Sequence, residues 1–241
     1  MHKLILGVIP ARGGSKSIPR KNIKTICGKP LIQYIFEASQ QSRYITRLIL
    51  STEDEEIATV GKSIGMEVPF ERPKELAKDD VPEIYVIKHA LRVFDEVGFK
   101  ADAVILLHLT NPFTRTQTID KAIELWLDTG CDSVTTVAEV TRGHPYITKR
   151  LKTGNIIEDF CIIPEGTQMH VRQARERAYY LTGAVYLRSR SIIEAKNMDS
   201  HYLGKDSRAI VVDEIEAIDI NTLFDFELAH WLMTNRIEDK L

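Results

Sequence analysis

Apolar and polar positions along the chain fall into two alternating patterns. Short β-branched runs of strand length recur: Lys3-Leu-Ile-Leu-Gly-Val-Ile9, Arg47-Leu-Ile-Leu-Ser51, Ala103-Val-Ile-Leu-Leu107, Ser133-Val-Thr-Thr-Val-Ala138 and Gly183-Ala-Val-Tyr-Leu187. Between them lie stretches of helical character. Pro30 opens one over Leu31 to Ala38, acids follow Ser51 toward Ala58, and Pro82 opens another reaching about Val97. Thr116 to Asp128 has the helical period, Ser191 to Lys196 is a short helix, and Thr222 to Asn235 is the last. Gly65 to Pro69 reads as a short strand and Glu71 to Ala77 as a loop. Ile210-Val-Val212 and Ala217-Ile218 read as late strands.

Such alternation predicts an α/β fold with a mostly parallel sheet and helices on both faces. Ligands of these sheets bind at the C-terminal strand ends. The loops after Ile9, Ser51 and Leu107 then share one rim. From about Arg142 to Thr182 the helical period is lost. Short segments, Asn155 to Ile157 and Phe160 to Ile163, stand between Gly154, Pro164 and Gly166, predicting an inserted hairpin or small subdomain over 142–182 within a single domain spanning 1–241.

Bulk composition narrows the classes. The 241 residues are 44% hydrophobic and 27% charged, ordinary for a soluble globular protein. No apolar run approaches the ~18 residues of a membrane span, and the N-terminus lacks a signal-peptide pattern. Neither a membrane nor a nucleic-acid partner is expected. Cys27, Cys131 and Cys161 are odd in number and widely spaced. They fit neither a disulfide framework nor a zinc site, and the simple inference is a reducing cytoplasm.

Charge is local rather than global. The formal net charge is only -2, yet no Asp or Glu occurs from Met1 to Phe36, where Lys3, Arg12, Lys16, Arg20, Lys21, Lys24 and Lys29 stand. Directly after the first strand comes Ala11-Arg-Gly-Gly-Ser-Lys-Ser-Ile-Pro-Arg-Lys-Asn22. Glycines allow close backbone approach, and successive N–H groups make a concavity for anions. With Arg12, Lys16, Arg20 and Lys21 added, the loop is a polyphosphate site. It is neither a Walker loop nor a dinucleotide fingerprint, because its glycines are adjacent. The complementary acids lie near the C-terminus: Asp213, Glu214, Glu216, Asp219, Asp225 and Glu227, with no Lys or Arg between Arg208 and Arg236. Hard oxygen ligands of this kind suit Mg²⁺. Asp219 is the foremost candidate, at an expected strand end. Glu216 and Glu227 are expected on the surface.

The Ala11–Asn22 stretch resembles the signature of the CMP-sialic acid synthetases (acylneuraminate cytidylyltransferases), and Cys27-Gly-Lys-Pro-Leu-Ile-Gln-Tyr34 is similar to the segment that follows it there. Weaker similarity continues to about Asp225. The resemblance implies a Rossmann-like, nucleotide-diphospho-sugar transferase-like fold, and makes the 142–182 insert a dimer contact that completes the partner's site. It implies that Arg12 and Lys21 hold phosphates of CTP, that Ala11, Gly13, Gly14 and Ser15 line the loop, that Asn22 touches the ribose, and that Arg72 lies near the cytosine. Ala217-Ile-Asp219-Ile-Asn221 resembles the family's D-x-D metal segment, with Asn221 in place of the second acid. His108-Leu-Thr-Asn-Pro-Phe-Thr114 resembles its L-Q-P-T-S-P acceptor loop. There Thr110 matches and His108 replaces glutamine. Arg172, Gln173, Tyr179 and Gly183-Ala-Val-Tyr186 match pieces of R-Q-D…Y…N-G-x-x-Y, with Ala174 and Thr182 as departures. Arg172 suits a sugar carboxylate.

The activity so implied is Mg²⁺-dependent transfer from CTP to a nonulosonic (sialic) acid, giving the CMP-sugar and pyrophosphate. Arg12, Lys21 and Asp219 would carry catalysis, and the enzyme would be a cytoplasmic homodimer or dimer of dimers. Because the departures fall near acceptor and metal, legionaminate, pseudaminate or a 3-deoxy-octulosonate are alternative acceptors. A nucleotide-binding regulator without turnover is the alternative outside enzymes. A dinucleotide oxidoreductase is the least expected reading, because its glycine fingerprint is missing.

Overall fold

The computed structural model describes residues 3–15, 17–168, 171, 175–195 and 203–235. Among the described residues ten strands and six α-helices follow in chain order. They are β1 Ile5–Pro10, β2 Thr25–Ile26, β3 Lys29–Pro30, α1 Leu31–Gln40, β4 Arg47–Ser51, α2 Glu55–Ser63, α3 Ile84–Glu96, β5 Ala103–Leu107, α4 Thr116–Thr129 and β6 Ser133–Glu139. Then come β7 Lys149–Leu151, β8 Ile157–Asp159, β9 Tyr179–Ser189, α5 Arg190–Ile193, β10 Ser207–Val212 and α6 Leu223–Thr234.

The central sheet has the order β4-β1-β5-β9-β6-β10. Pairings β1–β4, β1–β5 and β6–β10 are parallel, whereas β9 runs antiparallel between β5 and β6. The reversal has a topological cause. The chain leaves β6 at the upper rim, makes its excursion through the β7–β8 hairpin, and returns at that same rim, so β9 must run downward. Buried side chains form one core with α1, α2, α4 and α6 on one face and another with α3 and α5 on the opposite face. That is why β5 is apolar without alternation, all five residues being buried.

Local chemistry sets the element ends. Asp54 caps α2 by accepting from Ile57 N at 2.9 Å. Thr222 and Asp225 form a reciprocal capping box at the start of α6. Gly130 closes α4 in the left-handed region, at φ 63°.

The expected strands differ from the observed ones at three places. Residues 65–69 form no strand; only Glu67 bridges, to Ile49. Ala217 lies in a turn over residues 214–217, where Asp213 Oδ1 accepts from Ile215 N and Glu216 N and holds the chain out of the sheet. In the excursion, Asn155 sits at φ 61° in the hairpin turn, and residues 160–163 run on past β8.

Candidate active site

Strand β1 pairs with β4 on one side and β5 on the other. The loops leaving the tops of β1 and β5 therefore diverge, and a crevice opens between them. A cleft of about 530 Å³ lies there, walled by Arg12, Ser15, Lys21, Asn22, Arg72, Glu83, His108, Thr110, Asp219 and Asn221, among others. Nine of the sequence-predicted residues thus meet in one cavity. Ala11 is buried behind it and donates its N–H to Ser51 O at 3.0 Å. Tyr179 is exposed at the start of β9 and does not line it. Arg172 and Gln173, with Lys16 and Ala174, lie outside the described residues.

Arg12, Arg20 and Lys21 of the β1 loop each meet an acid or a carbonyl from another segment. Arg12 pairs with Asp79 at 2.6 Å. Arg20, left-handed at φ 55°, grips both oxygens of Asp54 and also pairs with Glu56. Arg20 holds the Asp54 carboxyl down to about 2, against an opposing push from burial. Lys21 Nζ donates to Ile220 O at 2.7 Å. Burial lowers the Lys21 ammonium below its ordinary value and the Arg12 charge adds to this, while Asp219 and Asp225 oppose it.

The glycine loop is braced, and its N–H groups are partly committed. Gly13 N donates to Glu53 Oε1 at 2.7 Å, and Ser15 N to Gly13 O at 3.2 Å. Glu53 also receives the buried Arg72 guanidinium, from Nε at 3.1 Å. One carboxylate therefore ties the loop to Arg72 across the cleft floor. Asn22 donates to Arg12 O at 2.8 Å, holding the loop's entry. Neither Gly13 nor Gly14 has a positive φ.

Opposite these cations stands the 219–221 segment. Its position comes from the β5 loop: Ile220 N donates to Thr110 O at 2.8 Å, and buried Asn111 donates to Ile218 O at 3.1 Å. Asp219 Oδ2 accepts from Asn221 Nδ2 at 2.7 Å. Asp219 Oδ1 is buried without a hydrogen-bond partner among the described residues. An orphaned carboxylate oxygen on a residue lining this cleft fits a hard cation whose other ligands come from phosphate and water. Among the described residues no group of three or more His, Cys, Asp or Glu could hold a metal by itself.

Glu216, expected on the surface, is buried instead. It accepts from Arg115 N at 3.0 Å at the entry to α4, and burial raises its carboxyl despite that bond. Thr182, expected to bear on the acceptor, turns into the sheet, its hydroxyl 2.6 Å from that of Thr136.

Sequence reasoning missed the partners. His108 Nε2 lies 3.0 Å from Glu83 Oε2. Burial pulls the imidazole down, but Glu83 and the more distant Asp219 outweigh it, and the net shift is upward. Burial likewise pushes Glu83 up, and the charges of His108, Arg188 and Arg72 bring it below its usual value. Glu83 therefore engages the His108 ring directly and shifts it toward its protonated form. The only sequence signal was Asp79-Asp80-Val-Pro-Glu83, an acidic stretch beside an expected base contact.

A family profile described as Cytidylyltransferase matches residues 6–193. A CMP-N,N'-diacetyllegionaminic acid synthase of Legionella pneumophila is 32% identical over 95% of this chain and 96% of its own length. A pseudaminic acid cytidylyltransferase of Campylobacter jejuni is 30% identical over 93% of this chain and 94% of its own. An N-acylneuraminate cytidylyltransferase of Escherichia coli is 28% identical over the whole of this chain but 55% of its own. Among solved structures, a CMP:2-keto-3-deoxy-manno-octonic acid synthetase complexed with CTP superposes with a TM-score of 0.71 at 19% identity, covering 97% of this chain and 100% of that one. That likeness carries the fold.

Proposed function

The chain belongs to the cytidylyltransferase family, and we propose that it joins CTP to a nonulosonic acid, forming the CMP-sugar and pyrophosphate. One observation carries this reading: Lys21, Arg12 and Asp219, whose Oδ1 has no hydrogen-bond partner among the described residues, line a single cleft at the sheet's switch point. In the reaction the anomeric oxygen forms a bond to the α-phosphorus of CTP as the bond to pyrophosphate breaks, and the hydroxyl proton leaves to solvent. Little covalent work falls to the protein, so positioning and charge neutralisation dominate. Lys21 and Arg12 hold the phosphates, and Arg12 exchanges Asp79 for them. Arg72, fixed by Glu53, stands where a pyrimidine edge would be read. His108, held against Glu83, orients the acceptor.

Asp219, with Asn221 beside it, is the residue to hold Mg²⁺. When bound, Mg²⁺ would neutralise phosphate charge. Two further parts of the reading rest on surface and thiol chemistry. Leu151, Ile156, Ile157, Phe160 and Ile162 are exposed apolar side chains on the excursion, which supports a homodimer contact there. Cys27, Cys131 and Cys161 are unpaired, which supports a reducing, cytoplasmic setting.

Pyrophosphate release from each of CTP, UTP and ATP tests the reading, against a panel of N-acetylneuraminate, diacylamino nine-carbon acids and a 3-deoxy-octulosonate. Release from CTP with a nine-carbon acid is expected. Equal release from UTP or ATP overturns the base choice. No release with any acid overturns the activity.

A further inference from the structure

A second cavity of about 350 Å³ opens from the first. Glu83 and His108 wall both; Arg12, Ser15 and Lys21 wall only the first, and Tyr186 and Arg188 only the second. Tyr186 and Arg188 are two apart on β9 and so share a sheet face, the one that α3 covers. The Tyr186 ring lies 5.9 Å from the His108 ring, and the Arg188 guanidinium 5.0 Å from the Tyr186 ring. Arg188 is only 3% exposed. Because β9 runs downward, Arg188 lies one step further than Tyr186 from the rim where Asp219 and Lys21 stand.

The lining selects chemistry. Asp80 lines this cavity and not the first, and Arg12, Lys21 and Lys78 line only the first, so this side cavity is the less favourable of the two for a phosphate. The Tyr186 ring offers an apolar face, the acids Asp79, Asp80 and Glu83 accept N–H and O–H groups, and the Arg188 fork donates to oxygen. A neutral polar group such as an acylamino substituent satisfies all three. Building on the cytidylyltransfer reading, we propose that this side pocket receives the far end of the acceptor acid, beyond its ring carbons, and that Arg188 is the specificity residue there, donating to a carbonyl or hydroxyl oxygen. The acceptor's reacting end stays near Asp219 and His108.

Steady-state kinetics of the wild type, Arg188→Gln and Arg188→Lys tests this with a nine-carbon acid bearing a distal acylamino group and with the same acid shortened at that end. In the wild type the full acid should be favoured about 10- to 100-fold in kcat/KM, the range of a hydrogen bond to a charged donor. Arg188→Gln should lose that factor for the full acid alone, through the acceptor KM, with the CTP KM unchanged; Arg188→Lys should keep part of it. Equal loss for both acids, or an equal rise in the CTP KM, makes Arg188 structural and overturns the proposal. If the variants do not fold, the wild-type comparison decides, since a shortened acid that reacts as well as the full one overturns it too. Absence of transfer to every acid refutes the cytidylyltransfer reading instead, so the two failures are distinct.

Discussion

The carboxylate of Asp54 occupies the space that a methyl group on Gly13 would need. A Cβ built on Gly13 would run into Oδ2 and lie 3.1 Å from Cγ. Asp54 cannot step aside, because it caps α2 and is gripped by Arg20. At Gly14 a Cβ would meet nothing within 4 Å. The two adjacent glycines are thus not equivalent: one allows the β1 loop to close onto the head of α2, and the other is sterically open.

Gly13→Ala should therefore destabilise the fold by about 1–3 kcal/mol, the usual cost of overpacking, and lower the rate by displacing the loop. Gly14→Ala should stay within about 0.5 kcal/mol of the parent. Urea unfolding of both variants checks this. Equal stabilities would mean that the loop yields and that Asp54 does not fix it.

Asp54 also predicts a pH dependence. Its folded value of about 2 lies below the ~3.9 of an unfolded aspartate. The pair contributes stability above the unfolded value, and that contribution is lost as pH falls through the folded one. Arg20 is more than a third exposed, so solvent screening discounts the figure to on the order of 1–2 kcal/mol. The stability gap between the wild type and Asp54→Asn should be full at pH 6 and shrink between pH 4 and 2. A gap independent of pH would show that the ionised carboxylate is not its source.

Lys21→Met should keep the fold and lose about 10² or more in kcat/KM, the cost of one lost transition-state charge contact. Among the described residues the Nζ–Ile220 O bond is the one hydrogen bond given up at that amine, so thermal stability should change little. Near-normal turnover would remove Lys21 from the mechanism.

The parts of this molecule legible in its sequence were those where one residue type answers one local demand. The all-apolar β5, Pro30 before α1 and the glycine-flanked basic loop are of this kind. The antiparallel sense of β9 was not legible, because it depends on where the excursion re-enters the sheet. Glu83 meeting His108, and Glu53 joining Gly13 N to Arg72, were equally hidden: their partners are 19 to 40 positions apart along the chain, and no local period reports such pairs. Glu216 was misread because an acidic stretch suggests a solvated face, while the backbone N–H and guanidinium of Arg115 hold it inside.

The last prediction concerns Asp219 and Asn221. The Asn221 amide donates to Asp219 Oδ2 and so turns the orphaned Oδ1 into the site where a cation would be held. Asp219→Asn removes that carboxylate, the local negative charge nearest Lys21 in the cleft, and should abolish the Mg²⁺-dependent part of the rate. Asn221→Ala removes only an orienting hydrogen bond, worth about 1 kcal/mol, and should raise the Mg²⁺ needed for half-maximal rate several-fold with little loss at saturation. Asn221→Asp sets a second carboxylate beside the first. Without a cation the two repel, so the melting temperature in chelator should fall. With Mg²⁺ their combined charge should lower the half-maximal concentration below that of the parent. Initial rates against Mg²⁺ at saturating CTP and acid, paired with thermal melts with and without Mg²⁺, read both effects. If Asp219→Asn keeps its Mg²⁺ dependence in rate and in melting, the cation is held elsewhere. The pairing of Asn221 with Asp219 would then serve only to shape the turn into α6.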